Sequence, residues 1–389
     1  MNEHRNHIDF WLMSAVLTLM LLSLGIVYSA SASYAQVKMG DSEKMLASHA
    51  IKVIIGIFGM FFFIRFDYKL FRRFTKYALI LAVTMLFITL VLGVVSKGAT
   101  RWIRINSIGF QPSEFAKYAL LFHLSVLIAS KQEIIDDLRR GFYPMMFWVG
   151  LVTALVMAQP NFSMGAMIFG LSMVLLFAGN VRLKHLLLTF AVLLPIIGIY
   201  LVSAEYRLRR VTDFLSGVSG GTSQSNYQPW QSILGFGNGG IFGVGPGESK
   251  QRDFFLPESY GDFVFSIVGE EYGFLGTIFF LGLFFYIMIR GLRISKNAPD
   301  IFSKYLALAI TWSITLYALI NAGVTLGILP TTGLPMPFVS YGGSSMVFSA
   351  CAIGVLLNIS AHTELHPRAR EVPVIGSVDA DNVELRKVY

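Results

Sequence analysis

Ten mostly apolar runs, near residues 10–31, 49–66, 77–95, 114–130, 143–159, 163–179, 184–202, 263–289, 305–328 and 343–361, are each long enough to cross a bilayer. Hydrocarbon offers no partner to a peptide N–H or C=O, so such runs must close their hydrogen bonds internally, as helices. Composition agrees: 54% of residues are hydrophobic and 14% charged, too few polar groups to solvate a water-soluble chain of 389 residues. The expected fold class is an all-α polytopic membrane protein of about ten transmembrane helices, with one large extracytoplasmic loop (about 203–262) between helices 7 and 8. Residues 1–361 read as a single membrane domain and 362–389 as a polar, mobile cytoplasmic tail. The first run is too long for a signal peptide and lacks a convincing cleavage site, so it reads as a first span. Cys351, the one cysteine, lies in an apolar run, which excludes a disulfide and a cysteine-based metal site.

Basic residues orient the spans. With the N-terminus in the cytoplasm, the inner loops collect Arg65, Lys69, Arg72, Arg73, Lys76, Lys131, Arg139, Arg140, Arg182, Lys184, Arg290, Arg293, Lys296 and Lys304. The net charge of +8 is therefore mainly a topology signal, and nucleic acid is not an expected partner. Lys38, Lys44 and Lys52 fall in the first outer loop and its margin and carry no special reading. Two further outer groups oppose the bias: Lys97, Arg101, Arg104 and Lys117, then Arg207, Arg209, Arg210, Lys250 and Arg252. They fit an anionic ligand on the outer face, or ordinary loop solvation.

The outer loop GATRWIRINSIGFQPSEFAK places Trp102 at the interface and Pro112 at a helix start. Glu114 and Lys117, three apart on one helical face, can form a structural ion pair or present a cation to a diphosphate. Gln159-Pro160-Asn161 is a tight turn whose polar atoms can satisfy one another, and 205–215 (EYRLRRVTDFL) fits an amphipathic interfacial helix. Glycines 235, 237, 239, 240, 243, 245 and 247 suit neither helix nor strand spacing and are read as tightly bent backbone or a ligand approach. Glu258 and Asp262 follow at the mouth of the next span, and Glu270 and Glu271 within it, where acids are functional candidates by default. Residues 333–345 (GLPMPFVSYGGSS) read as a non-helical re-entrant stretch, tolerated at membrane depth only inside protein or along a wet cavity. There is no internal repeat, P-loop, HExxH or Ser-His-Asp arrangement, and His123 reads as a packed side chain.

Four ordered motifs carry a resemblance: RWI…QPSE..K (Arg101 to Lys117), YQ..QS…G.GG..G (Tyr227 to Gly243), LPE…DF.F…EE.G (Leu256 to Gly273) and LP..G.P.PF.SYGGSS (Leu329 to Ser345). Together they resemble the SEDS family, the FtsW, RodA and SpoVE group of ten-span bacterial membrane proteins, over nearly the whole chain. GVGPGESKQR, LPTTGLPMPFVSYGGSS and LLNIS lean towards its division branch, FtsW, over its elongation branch, RodA. Two positions depart from the family: Asn161 stands where an Asp is usual, and Tyr260-Gly261 where His-Thr often precedes the key aspartate.

The resemblance implies a peptidoglycan glycosyltransferase of the inner membrane at the division septum, polymerising lipid II beside a class B penicillin-binding transpeptidase (FtsI type) and other divisome membrane proteins. It implies Asp262 as the catalytic residue, acting as general base or as ligand of a divalent cation (Mg or Mn); no metal is assigned. Arg101, Lys117, Lys250 and Arg252 are diphosphate candidates, Glu258 an orienting group, Gln231 and Ser340 contacts for sugar or peptide, with Gln111, Glu114 and Tyr341 completing the substrate-binding set. A lipid II transporter (flippase), an elongation-type polymerase and a non-catalytic scaffold are the competing readings. The orientation is testable: with Cys351 removed, a cysteine at Ser223 should react with an impermeant thiol reagent added to intact cells, and labelling only after lysis would invert the assignment.

Overall fold

A computed structural model describes residues 6–365 apart from 97–98, 106–107, 203–204, 206–207, 209–211 and 213–226. Each of the ten apolar runs coincides with a helix: α1 (Phe10–Met39), α2 (Lys44–Arg65), α3 (Tyr68–Leu92), α4 (Pro112–Ser130), α5 (Tyr143–Ala158), α6 (Phe162–Ala178), α7 (Leu183–Val202), α9 (Val264–Lys296), α10 (Ile301–Thr325) and α11 (Gly343–Ser360). A shorter helix, α8 (Tyr227–Gly239), precedes α9. Six of the described segments, α1, α2, α3, Leu138–Ala158, α9 and α10, are individually long and apolar enough to cross a membrane. The loop between α3 and α4 adds an element the apolar pattern does not announce, an antiparallel three-stranded sheet of β1 (Val94–Ser96), β2 (Ala99–Ile105) and β3 (Ile108–Phe110). Most of the expected interfacial helix at 205–215, and the tail beyond 365, lie outside the described residues.

Local chemistry sets the helix ends. Asp9 caps α1 by accepting from Leu12 N at 2.9 Å, and Gly40 closes it in the left-handed region. Asp67 caps α3, Pro112 occupies the first turn of α4, and Asp300 with Ser303 forms a capping box on α10. At the opposite end of the bundle from the external sheet, Asp9 is fully buried and pairs with Arg290 at 2.6 Å, while its N–H donates to Ser360 Oγ. Asn358 joins Ile64 O and Tyr68 N, locking the α2–α3 turn onto the end of α11.

Two buried apolar cores meet on α10. Leu306, Ile310 and Ile314 face a core built mainly from α1, α2, α9 and α11, whereas Tyr305, Ala309 and Tyr317 face one built mainly from α3 to α7. Lipid tails supply no hydrophobic drive between helices, so close backbone approach matters more. Along α2 and α11 it is obtained with small residues: Gly56 lies against Met346 and Ala350, Gly59 against Cys351, and Gly354 against the Met60 backbone.

The glycine-dense stretch departs from expectation, because its first part is the helix α8. Gly235 and Gly239, four apart on one face of α8, and Gly243 just beyond its end all meet α9. A Cβ at Gly235 would lie 2.9 Å from Ser266 Oγ, and at Gly239 or Gly243 would overlap the carbonyls of Gly269 or Glu271. The opposing face on α9 is again glycine: Gly269 receives the Phe236 ring, and Gly273, at φ 64° and ψ −160°, breaks the helix. That break frees backbone groups at membrane depth, and residues 240–245 satisfy them. Val244 N and Gly245 N donate to Glu270 O and Glu271 O at 3.0 and 3.1 Å, while Phe274 N and Leu275 N donate to Gly240 O and Ile241 O at 2.9 and 3.2 Å.

This interlock predicts a sharp contrast. Gly243→Ala must force backbone apart at a positive φ, so it should lower the detergent melting temperature and membrane accumulation, at a cost of about 1–3 kcal/mol or more. Gly237→Ala, whose new methyl meets nothing within 4 Å, should behave as wild type. Equal melting temperatures would show that the interlock contributes little.

Candidate functional site

Asp262 stands just before α9, in a tight turn over 256–263. Gly261 N donates to Glu258 O at 2.9 Å, and Glu258 sits in the left-handed region at φ 60°. Ser259 Oγ donates to Ala30 O, anchoring the turn to α1. The re-entrant segment 326–342 is non-helical, as its prolines and glycines require, and Leu334, Met336, Phe338 and Val339 are buried in the two cores.

One side chain joins these two loops. Asn321, buried on α10, donates from Nδ2 to Asp262 O at 2.7 Å and to Leu334 O at 2.8 Å. Gly333 adopts φ 68°, and a Cβ there would lie 3.2 Å from Asp262 Oδ2, so the carboxylate rests against glycine backbone. Further along, Tyr341 N donates to Tyr260 O at 2.8 Å, and the two rings meet edge to face at 5.9 Å. Tyr260 also packs on Tyr34, and burial, followed by the nearby Glu258 charge, pushes its phenol well above the usual range. Ser340 is buried, and its hydroxyl accepts from Met336 N, closing its own turn.

The RWI…QPSE motif approaches from the other side. Gln111 N donates to Ser344 Oγ at 3.1 Å, and Gly343 packs on Trp102, so β3 and the start of α4 abut the start of α11. Arg101 donates to Pro160 O, joining this loop to the Gln159–Asn161 turn, where Gln159 in turn donates to Leu86 O. Glu114 and Lys117 form an ion pair at 2.8 Å, both side chains only 2% exposed. The ammonium also lies 4.0 Å from the Tyr317 ring centre and 4.6 Å from that of Tyr118. A caged pair of this kind is the structural alternative of the sequence reading.

Other expected site residues lie apart. Gln231 is half-buried on α8 and Lys250 is exposed; neither makes a hydrogen bond or ion pair with the Asp262 turn. Arg252 is held by α1, donating to Ser29 O and Ser29 Oγ at 3.3 and 3.1 Å. Glu270 and Glu271 are buried and serve as acceptors: Glu270 for Ser249 Oγ, Gln251 N and Asn238 Nδ2, Glu271 for Ser29 Oγ. They tie residues 238–252 and α1 to α9. Among the described residues no three His, Cys, Asp or Glu side chains converge as a metal site. Sequence reasoning missed Asn321, whose signal was a lone carboxamide in an apolar run, and Lys52, which reaches the Tyr341 ring.

Comparison with known proteins places this geometry. The family profile for FtsW, RodA and SpoVE, described as cell cycle protein, matches residues 10–365. The chain is 38% identical over 361 residues to a probable peptidoglycan glycosyltransferase FtsW of Trichlorobacter lovleyi, covering 92% of this chain and 94% of that one. It is 36% identical over 361 residues to stage V sporulation protein E of Bacillus subtilis, covering 90% and 97%. A solved chain from a peptidoglycan synthase complex superposes with a TM-score of 0.75 at 24% identity, over 92% of this chain and 99% of that one, and so shares the fold. This multi-pass membrane protein therefore belongs to the FtsW, RodA and SpoVE family of cell cycle proteins, the SEDS family.

Proposed function

We propose that this chain is a peptidoglycan glycosyltransferase of septal wall synthesis, polymerising lipid II at the outer face of the inner membrane. The observation that carries the reading is the setting of Asp262: a carboxylate at the mouth of α9, against the backbone of Gly333, with its own carbonyl held by Asn321. The names of relatives such as the probable FtsW of Trichlorobacter lovleyi support the reaction class.

The chemistry needs one base. The acceptor sugar hydroxyl attacks the lipid-linked anomeric carbon, the bond from that carbon to the diphosphate oxygen breaks, and the diphosphate leaves with the electron pair. Asp262 takes the hydroxyl proton, and a single in-line displacement turns the α-linkage into a β-linkage. A glycosidase needs a second carboxyl group to protonate its leaving alcohol, but a diphosphate leaves already stabilised, provided its charge is met. Arg101 is the cation of the RWI loop best suited to that task, with Gln111, Glu258 and Tyr341 framing the substrate. Gln231, Lys250 and Ser340 remain candidates for more distant parts of lipid II. A divalent ion at Asp262 would draw most of its ligands from phosphate oxygens and water, since among the described residues no acidic cluster surrounds it. A class B penicillin-binding transpeptidase is the expected partner, among other divisome membrane proteins.

Asp262→Asn should reduce lipid II polymerisation by about 100- to 10,000-fold while expression and melting temperature persist. If a divalent ion is held there, Asp262→Glu should keep some activity that shifts with added Mg or Mn. Polymerisation at near wild-type rate by the Asn variant would remove Asp262 from the mechanism, and directional lipid II movement without polymer would favour a transporter.

Lys117 is separable from its fold role. Lys117→Met alone strands a buried Glu114 and should destabilise by about 3–5 kcal/mol, whereas Lys117→Met with Glu114→Gln should be near neutral in melting temperature. Full polymerisation by that double variant would make the pair purely structural; a folded but inactive one would assign it to substrate.

A further inference from the structure

Lys52 lies in the outer part of α2, within an apolar run, and is only partly exposed. Its ammonium sits 3.9 Å from the centre of the Tyr341 ring. Ser48, one turn earlier on the same face, meets Tyr341 OH at 3.1 Å, and the buried His49 ring lies 5.9 Å from that of Tyr341. Three side chains of α2 thus converge on the tyrosine of the SYGG motif, whose N–H holds Tyr260 two residues before Asp262.

Lys117 and Arg290 hold Glu114 and Asp9 at 2.8 and 2.6 Å. Lys52 has no carboxylate partner among the described residues, and its ammonium lies over the ring of Tyr341. A cation–π contact contributes about 0.5–2 kcal/mol, less than the cost of keeping a bare ammonium at the edge of hydrocarbon, so the position calls for an anion. Ile51 and Ile55, neighbours of Lys52 along α2, are exposed, so a lipid-anchored anion can approach this helix, and Ser48 offers a second polar group.

We propose that Lys52 is a substrate-positioning residue that takes a phosphate oxygen of a lipid-linked diphosphate, with the Tyr341 ring as its shelf. The inference rests on the glycosyltransferase reading for its role in the reaction, but its test does not require turnover. The full-length protein carrying Asp262→Asn, in nanodiscs, is titrated with a polyprenyl diphosphate and separately with phosphatidylglycerol. Adding Lys52→Met should weaken diphosphate binding by roughly tenfold, the scale of one charge-assisted hydrogen bond, while Lys52→Arg should stay within about threefold. In the Asp262 background without that substitution, Lys52→Met should raise KM for lipid II more than it lowers kcat.

Diphosphate binding unchanged by Lys52→Met overturns the proposal, as does equal loss in the Met and Arg variants, which would mark a packing role. Loss confined to phosphatidylglycerol also overturns it, since the site would then read bulk headgroups. Melting temperatures of each variant separate binding loss from misfolding, and Lys52→Gln is read if the Met variant does not accumulate. Failure of the unsubstituted chain to polymerise lipid II would sink the proposed activity and leave the binding result standing on its own.

Discussion

Four backbone hydrogen bonds between residues 240–245 and 270–275 hold the half of this protein around Asp262 in shape. Breaking a helix inside a membrane is costly unless another segment supplies the missing donors and acceptors. Here the glycine loop supplies them, and only glycines at 239, 243, 269 and 273 let the two chains come close enough. The interlock sets where α8 lies and brings Ser249, Gln251 and Asn238 to Glu270. It also defines a short first half of α9, from Val264 to the break, whose mouth carries Asp262.

The same logic governs the site. Two loops without helical bonding, 256–263 and 326–342, lie against each other, and the carbonyls of Asp262 and Leu334 share the amide of Asn321. Tyr341 N to Tyr260 O adds a second backbone link, and Ser340 and Ser259 use their hydroxyls to close the remaining turns. Several polar residues of the motifs therefore act as scaffold, which leaves Asp262 with a geometry set by others. In the proposed one-carboxylate mechanism, a base held in place before substrate arrives is what the chemistry needs.

The helical architecture was legible because apolar length is a strong signal: each run became a helix, and Pro112 starts α4 as its sequence position suggested, while the caps Asp9, Asp67 and Asp300 emerge only in the structure. The pairing of Glu114 with Lys117 followed from their i,i+3 spacing. Helix α8 was not legible, since glycine's poor helix propensity hid a four-residue repeat that is a packing face. Glu270 and Glu271 stood out by position, and each accepts from a neighbouring hydroxyl, Ser249 and Ser29, contacts that only the fold reveals. Lys52 and Asn321 matter through tertiary contacts to segments nearly 300 residues and 59 residues away, which no local pattern encodes.

The sharing of α10 by two cores has a consequence for how the chain is built. Helices α1 and α2 find much of their packing on α9 and α11, and the inner bonds Asp9–Ser360, Tyr68–Asn358 and Asp9–Arg290 span 351, 290 and 281 residues. During synthesis, the first two helices must wait in the bilayer while the whole middle of the protein is inserted. The α3–α7 bundle can gather earlier but lacks its α10 wall until late. Assembly therefore closes from the C-terminal end: a ribosome stalled before α10 leaves neither core complete, and one stalled before α11 leaves the α1, α2 and α9 side without its last wall.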